Sequence, residues 1–299
     1  MHVGVSRPPT PPHPTPDVDG ALVARVAEEL GFESVFYGEH PVRPVDQPGT
    51  GVHRDGVPFF QDTLVMLARA SAVTSRIKLG GGVFLLPEHN PVQFAKELAS
   101  LDHYSGGRVV VGAGVGWSRI ECELLGGDFD RRWAQTLEAV TLMKRLWREE
   151  TVTFDGEFFR VPPVQMFPRP ANPAGPPVLL GASASPRSFR RIAAVADGWM
   201  PAFVTRESTE RAPSELEAAR RELDALAVAA GRVPSDLQIT AIVRGPQPGV
   251  DLPPAQRVDR ALLRRIADTG VDRVAVSLST LRSEADVEPA LGRVADALL

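Results

Sequence analysis

The sequence predicts a (β/α)8 barrel, and two observations carry this prediction. Short apolar runs alternate with longer segments of helical period, which gives about eight strands, nearly all separated by helices. Strands separated by helices run parallel, with right-handed crossovers. A doubly wound open sheet is the alternative architecture. The first βα unit holds Gly4 alone rather than a Gly-x-Gly-x-x-Gly sequence, which weighs against a dinucleotide-binding Rossmann domain. The 299 residues suit a single barrel domain over residues 1–299.

The first helix shows how the elements are predicted. Val18, Leu22, Val26 and Leu30 share one face at a spacing of four, and Gly31 comes next as a stop signal. The same reasoning predicts helices over 17–30, 61–75, 91–104, 131–149, 186–196, 208–230, 254–269 and 284–298. Apolar runs of strand length lie at 2–6, 34–37, 77–86, 108–113, 178–181, 198–200, 237–243 and 271–278.

A β-hairpin is predicted as an insertion between the fourth helix and the fifth strand. Asp155-Gly156 lies between alternating residues of the segment 151–161, and this pair is a strong hairpin signal. The proline-rich segment 162–177 comes next and is expected to cross the surface in an extended form. The barrel then resumes with the strand at 178–181.

Composition and charge exclude several classes of function. The chain is 43% hydrophobic and 23% charged with a net charge of -4, which is ordinary for a globular protein and offers no surface for nucleic acid. No apolar run approaches the roughly 20 residues of a membrane helix, and no signal peptide is recognisable, so a cytoplasmic protein is expected. The lone Cys122 forms no disulfide within the chain, and no metal-binding spacing of Cys and His occurs.

The candidate catalytic residues lie just after predicted strands, where the active site of a barrel is found. His40 comes directly after the second strand, and an imidazole at that place suits proton transfer, although it can also cap backbone groups. Glu39 beside it is expected to support the imidazole or to face solvent. After the fourth strand, Gly116 gives backbone access next to the large aromatic Trp117, and Glu121 lies one turn into the next helix as an acid, an anchor or a simple N-terminal charge.

Two glycine-rich segments are candidate ligand-binding surfaces. Gly181, Ala182 and Ser183 lead into a helix that begins at Pro186, so their backbone N–H groups can converge on an anion such as a phosphate. The same pattern also suits a plain serine cap followed by proline. Glycines are unfavourable in a strand, so the Gly81-Gly82 pair suggests a packing kink, a bulge, an unusual peptide geometry or a bare wall against which a flat ligand lies.

These motifs, in this order and spacing, resemble the luciferase-like monooxygenase superfamily, and most closely its branch that uses the deazaflavin coenzyme F-420. The motifs that carry the resemblance are Glu39-His40-Pro41, Leu79-Gly-Gly-Gly-Val83 with Pro87-x-x-Asn90-Pro91, Ala95-Lys-Glu-Leu-Ala-Ser-Leu-Asp102, Ser105-Gly-Gly-Arg108, Gly112-x-Gly-x-Gly116-Trp117, Phe154-Asp-Gly-Glu157 and Ala196-Asp-Gly-Trp199. The resemblance covers residues 1 to about 205 and becomes weaker towards the C-terminus.

The resemblance implies how a coenzyme would be held. A non-proline cis peptide near Gly81-Gly82 would form a bulge behind its central ring, with Val83, Asn90, Gly116 and Trp117 among the coenzyme-binding residues. His40 would point at the reactive edge of the ring, and Gly181–Ser183 would receive the phosphate. The family often has Asp where this chain has Glu39. Its members are commonly dimers, so the resemblance implies a homodimer.

The sequence supports three functions as hypotheses. The first is an oxidoreductase that transfers hydride between coenzyme F-420 and a small organic substrate, with His40 stabilising or protonating the developing charge. The second is an FMN-dependent monooxygenase with the same site. The third is a cofactor-free barrel that binds a phosphorylated metabolite, either as a lyase or isomerase or as a sensor.

Overall fold

The computed structural model describes residues 1–7, 18–42, 44, 61–203, 206–244, 260–278, 281 and 283–299. Within these residues, eight parallel strands close into the predicted (β/α)8 barrel, in the order β1-β2-β3-β4-β7-β8-β10-β11, with β11 paired to β1. These strands are β1 (His2–Arg7), β2 (Ser34–Tyr37), β3 (Lys78–Leu85), β4 (Val109–Gly114), β7 (Val178–Leu180), β8 (Gly198–Trp199), β10 (Gln238–Arg244) and β11 (Arg273–Ser277). A short further strand, β9 (Ala202–Phe203), also pairs with β10 and is not among the predicted strands.

Helices cover the outside of the barrel. They are α1 (Gly20–Glu29), α2 (Thr63–Val73), α3 (Pro91–Ser105), α4 (Arg119–Leu124), α5 (Arg132–Arg148), α6 (Pro186–Val195), α7 (Arg206–Ala229), α8 (Arg260–Ala267) and α9 (Val287–Leu298). The predicted helix 254–269 lies outside the described residues up to residue 259. The predicted helix 284–298 begins as a single 3-10 turn at Glu284–Asp286, and α9 continues from it.

An antiparallel pair, β5 (Val152–Asp155) and β6 (Arg160–Val164), lies between α5 and β7. Its loop is longer than Asp155-Gly156 alone suggests, because Asp155 pairs with Arg160. The carboxylate of Glu138 on α5 accepts the backbone N–H groups of residues 157, 158 and 159, which stabilises the four-residue loop. Pro162 and Pro163, predicted to lie in the extended crossing, belong to β6, where a two-stranded ribbon leaves one edge without ladder bonds.

The interior of the barrel is filled by side chains that point inward from its strands. This layer packs below the C-terminal ends of the strands and consists of Phe36, Val110, Leu179, Met200, Ile242 and Ala275, with Val83 packed against it. A larger apolar core lies between the outside of the sheet and the helices. The inner layer forms the floor of the candidate site.

Strand β3 carries the glycines that the sequence singles out. Its pairing with β4 shifts register between Gly81 and Phe84, so the predicted bulge is present. A non-proline cis peptide joins Gly82 to Val83, one residue beyond the predicted position. A Cβ at Gly80 would lie 2.4 Å from the ring of Phe36, and a Cβ at Gly81 would lie 2.3 Å from the ring of Phe84. The bare wall is therefore narrower than predicted, since neighbouring aromatic rings cover the first two glycines and only Gly82 and Val83 stay half-buried.

Candidate active site

His40 and Glu121 meet at the C-terminal end of the barrel. His40 lies three residues after β2, and its Nδ1 is 2.8 Å from Oε2 of Glu121. Glu121 is fully buried in the first turn of α4, and its other oxygen accepts the backbone N–H of Val42 at 3.3 Å. The side chain of Ser118 caps α4 by accepting the backbone N–H of Glu121. The cap and the buried carboxylate together fix the orientation of the imidazole.

Trp117 determines which ring nitrogen of His40 carries the proton. The indole Nε1, which can only donate, lies 3.3 Å from Nε2 of His40. Nε2 is therefore the acceptor, and the proton of the neutral ring is on Nδ1, which donates it to Glu121. The two rings meet edge-on with their centroids 5.6 Å apart. The tautomer that satisfies both contacts therefore has its proton on Nδ1 and its lone pair on Nε2.

Glu39 belongs to a second histidine–carboxylate pair. Its Oε2 lies 2.9 Å from Nε2 of His89 and accepts the backbone N–H of Leu85 at 2.7 Å. His89 in turn stacks on Phe94 of α3 with a centroid separation of 4.1 Å. The carboxylate that contacts His40 is that of Glu121, while Glu39 joins the end of β3 to the loop after it.

A third carboxyl group, that of Glu88, lies near these two pairs. It is 8% exposed, and neither of its oxygens has a hydrogen-bond partner among the described residues. Burial, followed by the charges of Glu121 and Glu39, raises the pKa of Glu88 to about 8. Glu88 therefore carries a proton at neutral pH.

A cavity of about 370 Å³ opens at the same end of the barrel. Its walls bring together two segments that are distant in sequence, the half-buried Gly82-Val83 unit of β3 and the Gly181–Ala184 segment after β7. The lining is completed by Trp199, Met200, Pro201, Ala202, Phe203, Arg211, Glu215 and Ile242. This volume is within the range of small-molecule sites.

The Gly181–Ala184 segment presents unbonded backbone N–H groups beside the cavity. The backbone N–H groups of Ala182, Ser183 and Ala184 donate to no acceptor among the described residues. The N–H of Gly181 is bonded to the carbonyl of Ala113, and the indole of Trp199 donates to the carbonyl of Ala182, so the segment is held from below. Ser185 caps α6 by accepting the N–H of Ser188. The serine cap is therefore present, and the N–H groups that the predicted anion cradle would use are open beside it.

The remaining predicted site residues occupy different places. Asn90 is exposed and caps α3, because its Oδ1 accepts the backbone N–H groups of Val92 and Gln93. Gly116 has a φ of 70° and lies against Glu88, since a Cβ there would be 3.1 Å from Oε1 of that carboxyl. Gly81 lies beneath Phe84 and does not line the cavity.

Sequence reasoning misses three residues of this region. Glu88 follows the buried run Leu85-Leu86-Pro87 and precedes the helix that begins at Pro91. This position next to an apolar run is the feature of the sequence that could have indicated that Glu88 is buried. Arg211 lies on α7, in the second turn of the helix that follows β9, and its Nε donates to Glu215 at 2.8 Å beside the cavity. His89, which has no assigned role in the sequence, pairs with Glu39.

Neither a metal-binding cluster nor a membrane-spanning helix is found among the described residues. No group of three or more His, Cys, Asp or Glu side chains is arranged to hold a metal ion in that part of the chain. Over the same ranges, no helix has the length and apolar character to cross a membrane.

A closed parallel barrel with its polar side chains at the C-terminal strand ends defines the class of α/β barrels whose active sites lie at that face. The chain belongs to the luciferase-like monooxygenase family, whose model matches residues 5–244. The family that the motifs resemble is therefore confirmed.

Individual relatives add detail. An uncharacterised protein of Mycobacterium tuberculosis is 41% identical over 187 residues, which are 60% of this chain and 66% of that protein. An F-420-dependent glucose-6-phosphate dehydrogenase of Nakamurella multipartita is 33% identical over 216 residues, 69% of this chain and 60% of the dehydrogenase. The chain thus spans less than two thirds of the length of each relative. The fold also matches a solved F-420-dependent secondary alcohol dehydrogenase in complex with an F-420–acetone adduct, with a TM-score of 0.77, 18% identity and coverage of 100% and 99% of the two chains.

Proposed function

We propose that this protein is an oxidoreductase that transfers hydride between coenzyme F-420 and a small organic substrate. The observation that carries the proposal is the cavity in which the Gly82-Val83 backbone faces the open N–H groups of the Gly181–Ala184 segment. The similarity to an F-420-dependent dehydrogenase supports the same coenzyme. The alternative within the family is FMN in the same site.

The residues present fit such a coenzyme. A flat ring system needs a wall without large side chains, and Gly82 supplies one above Phe36 and Ile242 of the barrel floor. A phosphate needs converging donors, and Ala182, Ser183 and Ala184 offer theirs at the N-terminus of α6. A Cβ at Gly181 would lie 2.8 Å from Cγ1 of Val83, so a glycine is needed where these two walls meet.

When bound, a deazaflavin coenzyme supplies a two-electron hydride acceptor or donor and does not activate oxygen as flavin does. The protein residues position the substrate and manage its proton. Nε2 of His40 carries the lone pair of the ring. It takes the proton of a substrate hydroxyl, as hydride leaves the adjacent carbon, once that hydroxyl replaces the indole N–H of Trp117 as its hydrogen-bond partner. Glu121 stabilises the imidazolium that results, because its carboxylate already bonds Nδ1. This arrangement favours an alcohol or a lactol as the class of substrate.

The decisive test is a titration of the purified protein with F-420 and with FMN, each oxidised and reduced, monitored by absorbance and fluorescence. We expect F-420 to bind more tightly than FMN. Preferential or equal binding of FMN would assign the protein to the flavin-dependent monooxygenases instead. Binding of neither coenzyme, together with full activity on a phosphorylated metabolite in the His40→Ala variant, would support the cofactor-free barrel.

Three further expectations from the sequence stay predictions. A single domain over residues 1–299 predicts one cooperative unfolding transition in calorimetry. A homodimer predicts twice the chain mass in light scattering. A cytoplasmic location predicts recovery of the protein in the cytosolic fraction of its own cells.

A further inference from the structure

Trp117 is a large aromatic side chain that stays exposed beside the buried histidine–carboxylate pair. The side chain of His40 is 11% exposed and that of Glu121 is fully buried, whereas Trp117 is 41% exposed. An exposed indole N–H can be satisfied by water, so burial does not impose a protein partner on it. The indole nevertheless donates to Nε2 of His40. It thereby covers the ring nitrogen that the proposed reaction uses.

The contact between the two rings is weak enough to be exchanged. Its length of 3.3 Å lies beyond the usual range of about 2.7–3.2 Å for such hydrogen bonds. A neutral hydrogen bond changes an equilibrium constant by about two- to tenfold, so a competing donor of similar strength can replace the indole. A ligand therefore pays little to displace Trp117 from His40.

The backbone around Trp117 is anchored independently of this contact. Ser118, the next residue, is fully buried and caps α4 by accepting the backbone N–H of Glu121. At the other end of the segment, Gly114 packs against the cavity wall, since a Cβ there would lie 2.4 Å from Cγ2 of Val83. Loss of the indole contact therefore requires rotation of one exposed side chain and leaves the loop between β4 and α4 in place.

The chemistry of Nε2 determines what can replace the indole. The neutral ring offers a lone pair at this nitrogen, so the replacing group has to be a hydrogen-bond donor. The hydroxyl of an alcohol or a lactol meets this requirement, whereas the oxygen of a ketone or an aldehyde has no proton to donate. Once His40 is protonated, Nε2–H and the indole N–H are both donors and the contact is lost. The contact therefore exists only while the ring is neutral and no donor has taken its place.

We propose that Trp117 is a specificity-determining residue, whose indole N–H holds Nε2 of His40 until a hydroxyl group of the substrate replaces it. The inference rests on the proposed function. One donor replaces another in this exchange, so the number of hydrogen bonds at Nε2 does not change when an alcohol binds. The carbonyl product has no proton for Nε2, so the indole regains that nitrogen after His40 has lost its proton. Trp117 thus admits the alcohol and assists release of the product.

The first test uses the protein without coenzyme. The chain has four tryptophans, and the indole N–H resonance of Trp117 in the ¹⁵N-labelled protein is the one missing from Trp117→Phe. In His40→Ala we expect this resonance to move upfield and to exchange with water faster, because its acceptor is gone. The half-buried Trp133 on α5 is the control, and its resonance should not move.

An unchanged Trp117 resonance in His40→Ala would overturn the proposal. Should His40→Ala fail to fold, the same contact is measured from the other side, on the ring nitrogens of His40 in Trp117→Phe. The ¹⁵N resonance of Nε2 should then differ from that of the wild type, and identical resonances would overturn the proposal equally.

The second test uses turnover with F-420. Trp117→Phe keeps an aromatic ring and removes the N–H, so KM for the alcohol should fall about two- to tenfold while kcat is not lowered. The inhibition constant of the carbonyl product should change little, because the product does not compete with the indole for Nε2. Trp133→Phe, which alters a ring that lies beneath Arg191, is the matched control and should have the KM of the wild type.

The sign of the change in KM separates this role from a simpler one. A side chain that only lines the site would contribute to binding, and its truncation would raise KM. An active wild type whose Trp117→Phe variant has a raised or unchanged KM would overturn the role of Trp117 alone. A wild type that turns over no alcohol or lactol would overturn the proposed function, and the role of Trp117 in specificity with it.

Discussion

His40 and Glu121 are 81 positions apart in the sequence, and their side chains meet at 2.8 Å between Nδ1 and Oε2. The carboxylate holds the ring in one orientation and in one tautomer, because the opposite nitrogen accepts from Trp117. A histidine at a strand end becomes a proton acceptor only through this second contact. The pair is therefore the structural basis of the first prediction.

Glu121→Gln should lower kcat by about two orders of magnitude, the usual scale of general acid–base catalysis. The amide keeps the shape of the side chain but loses the charge that stabilises a protonated His40. Coenzyme binding should change little, so the loss should be found in kcat at saturating coenzyme. Glu123→Gln, two positions along the same helix and exposed, should be nearly as active as the wild type. Equal losses in the two variants would contradict a specific role for the pair.

Ser183→Asp should weaken coenzyme binding by about tenfold or more, because like charges that are brought together repel strongly. Ser183 is exposed and lines the cavity, so the added carboxylate would occupy the space assigned to the phosphate. The fold should not suffer, since acidic residues are favourable near a helix N-terminus. The measurement is the Kd for F-420 by fluorescence, and the exposed Ser235→Asp carries the same charge change away from the cavity. An unchanged Kd in Ser183→Asp would mean that the anion binds elsewhere.

Gly80→Ala should destabilise the protein by about 1–3 kcal/mol, the usual cost of overpacking a core. The new methyl group would lie 2.4 Å from the ring of Phe36, which cannot move freely inside the filled barrel. By contrast, Gly292→Ala in α9 meets no atom within 4 Å and should stabilise the protein by about 0.5–1 kcal/mol. Urea unfolding of both variants measures the difference. A tolerated Gly80→Ala would show that the ring can move, and would restore a ligand-facing explanation for this glycine.

The ion pair between Arg273 and Glu33 should make stability depend on acid pH. Burial raises the pKa of Glu33, but the bidentate bonds from Arg273 outweigh it, so the pKa lies below the ordinary value of 4.5. As the pH falls, the unfolded chain binds a proton at this carboxyl before the folded chain does. The contribution of the ion pair to the free energy of unfolding is therefore complete above pH 4.5, and it is lost as the pH falls through the depressed pKa of the folded state. Wild-type Tm should therefore fall more steeply with acid than that of Glu33→Gln. Glu29→Gln is the control, because Glu29 forms an ion pair with Arg25 that is exposed to solvent. Its Tm should depend on pH as that of the wild type does.

Much of the site could be predicted because barrels place function at the C-terminal ends of strands. His40, Trp117, Gly82 and Gly181 can all be recognised in the sequence, since each lies within an apolar run of strand length or soon after one. Asn90 shows the limit of that reasoning, since a residue in the same kind of loop is a helix cap here. Glu88 could not be found as an unpartnered acid, because the absence of partners is a property of surrounding space rather than of spacing along the chain.

The sequence alone determined the alternation of strands and helices, the parallel barrel and the end of the barrel at which the candidate polar residues lie. These features depend on local hydrophobic periodicity and on connections that are short and right-handed. The tertiary structure decided which acid serves which histidine, placing Glu121 rather than the adjacent Glu39 against His40. It also decided which glycine of this strand lines the cavity, since Phe36 and Phe84 cover Gly80 and Gly81 and leave Gly82 open to it. Both outcomes depend on strand register and on the direction of side chains across the barrel, and these are set only when all the strands have closed upon one another.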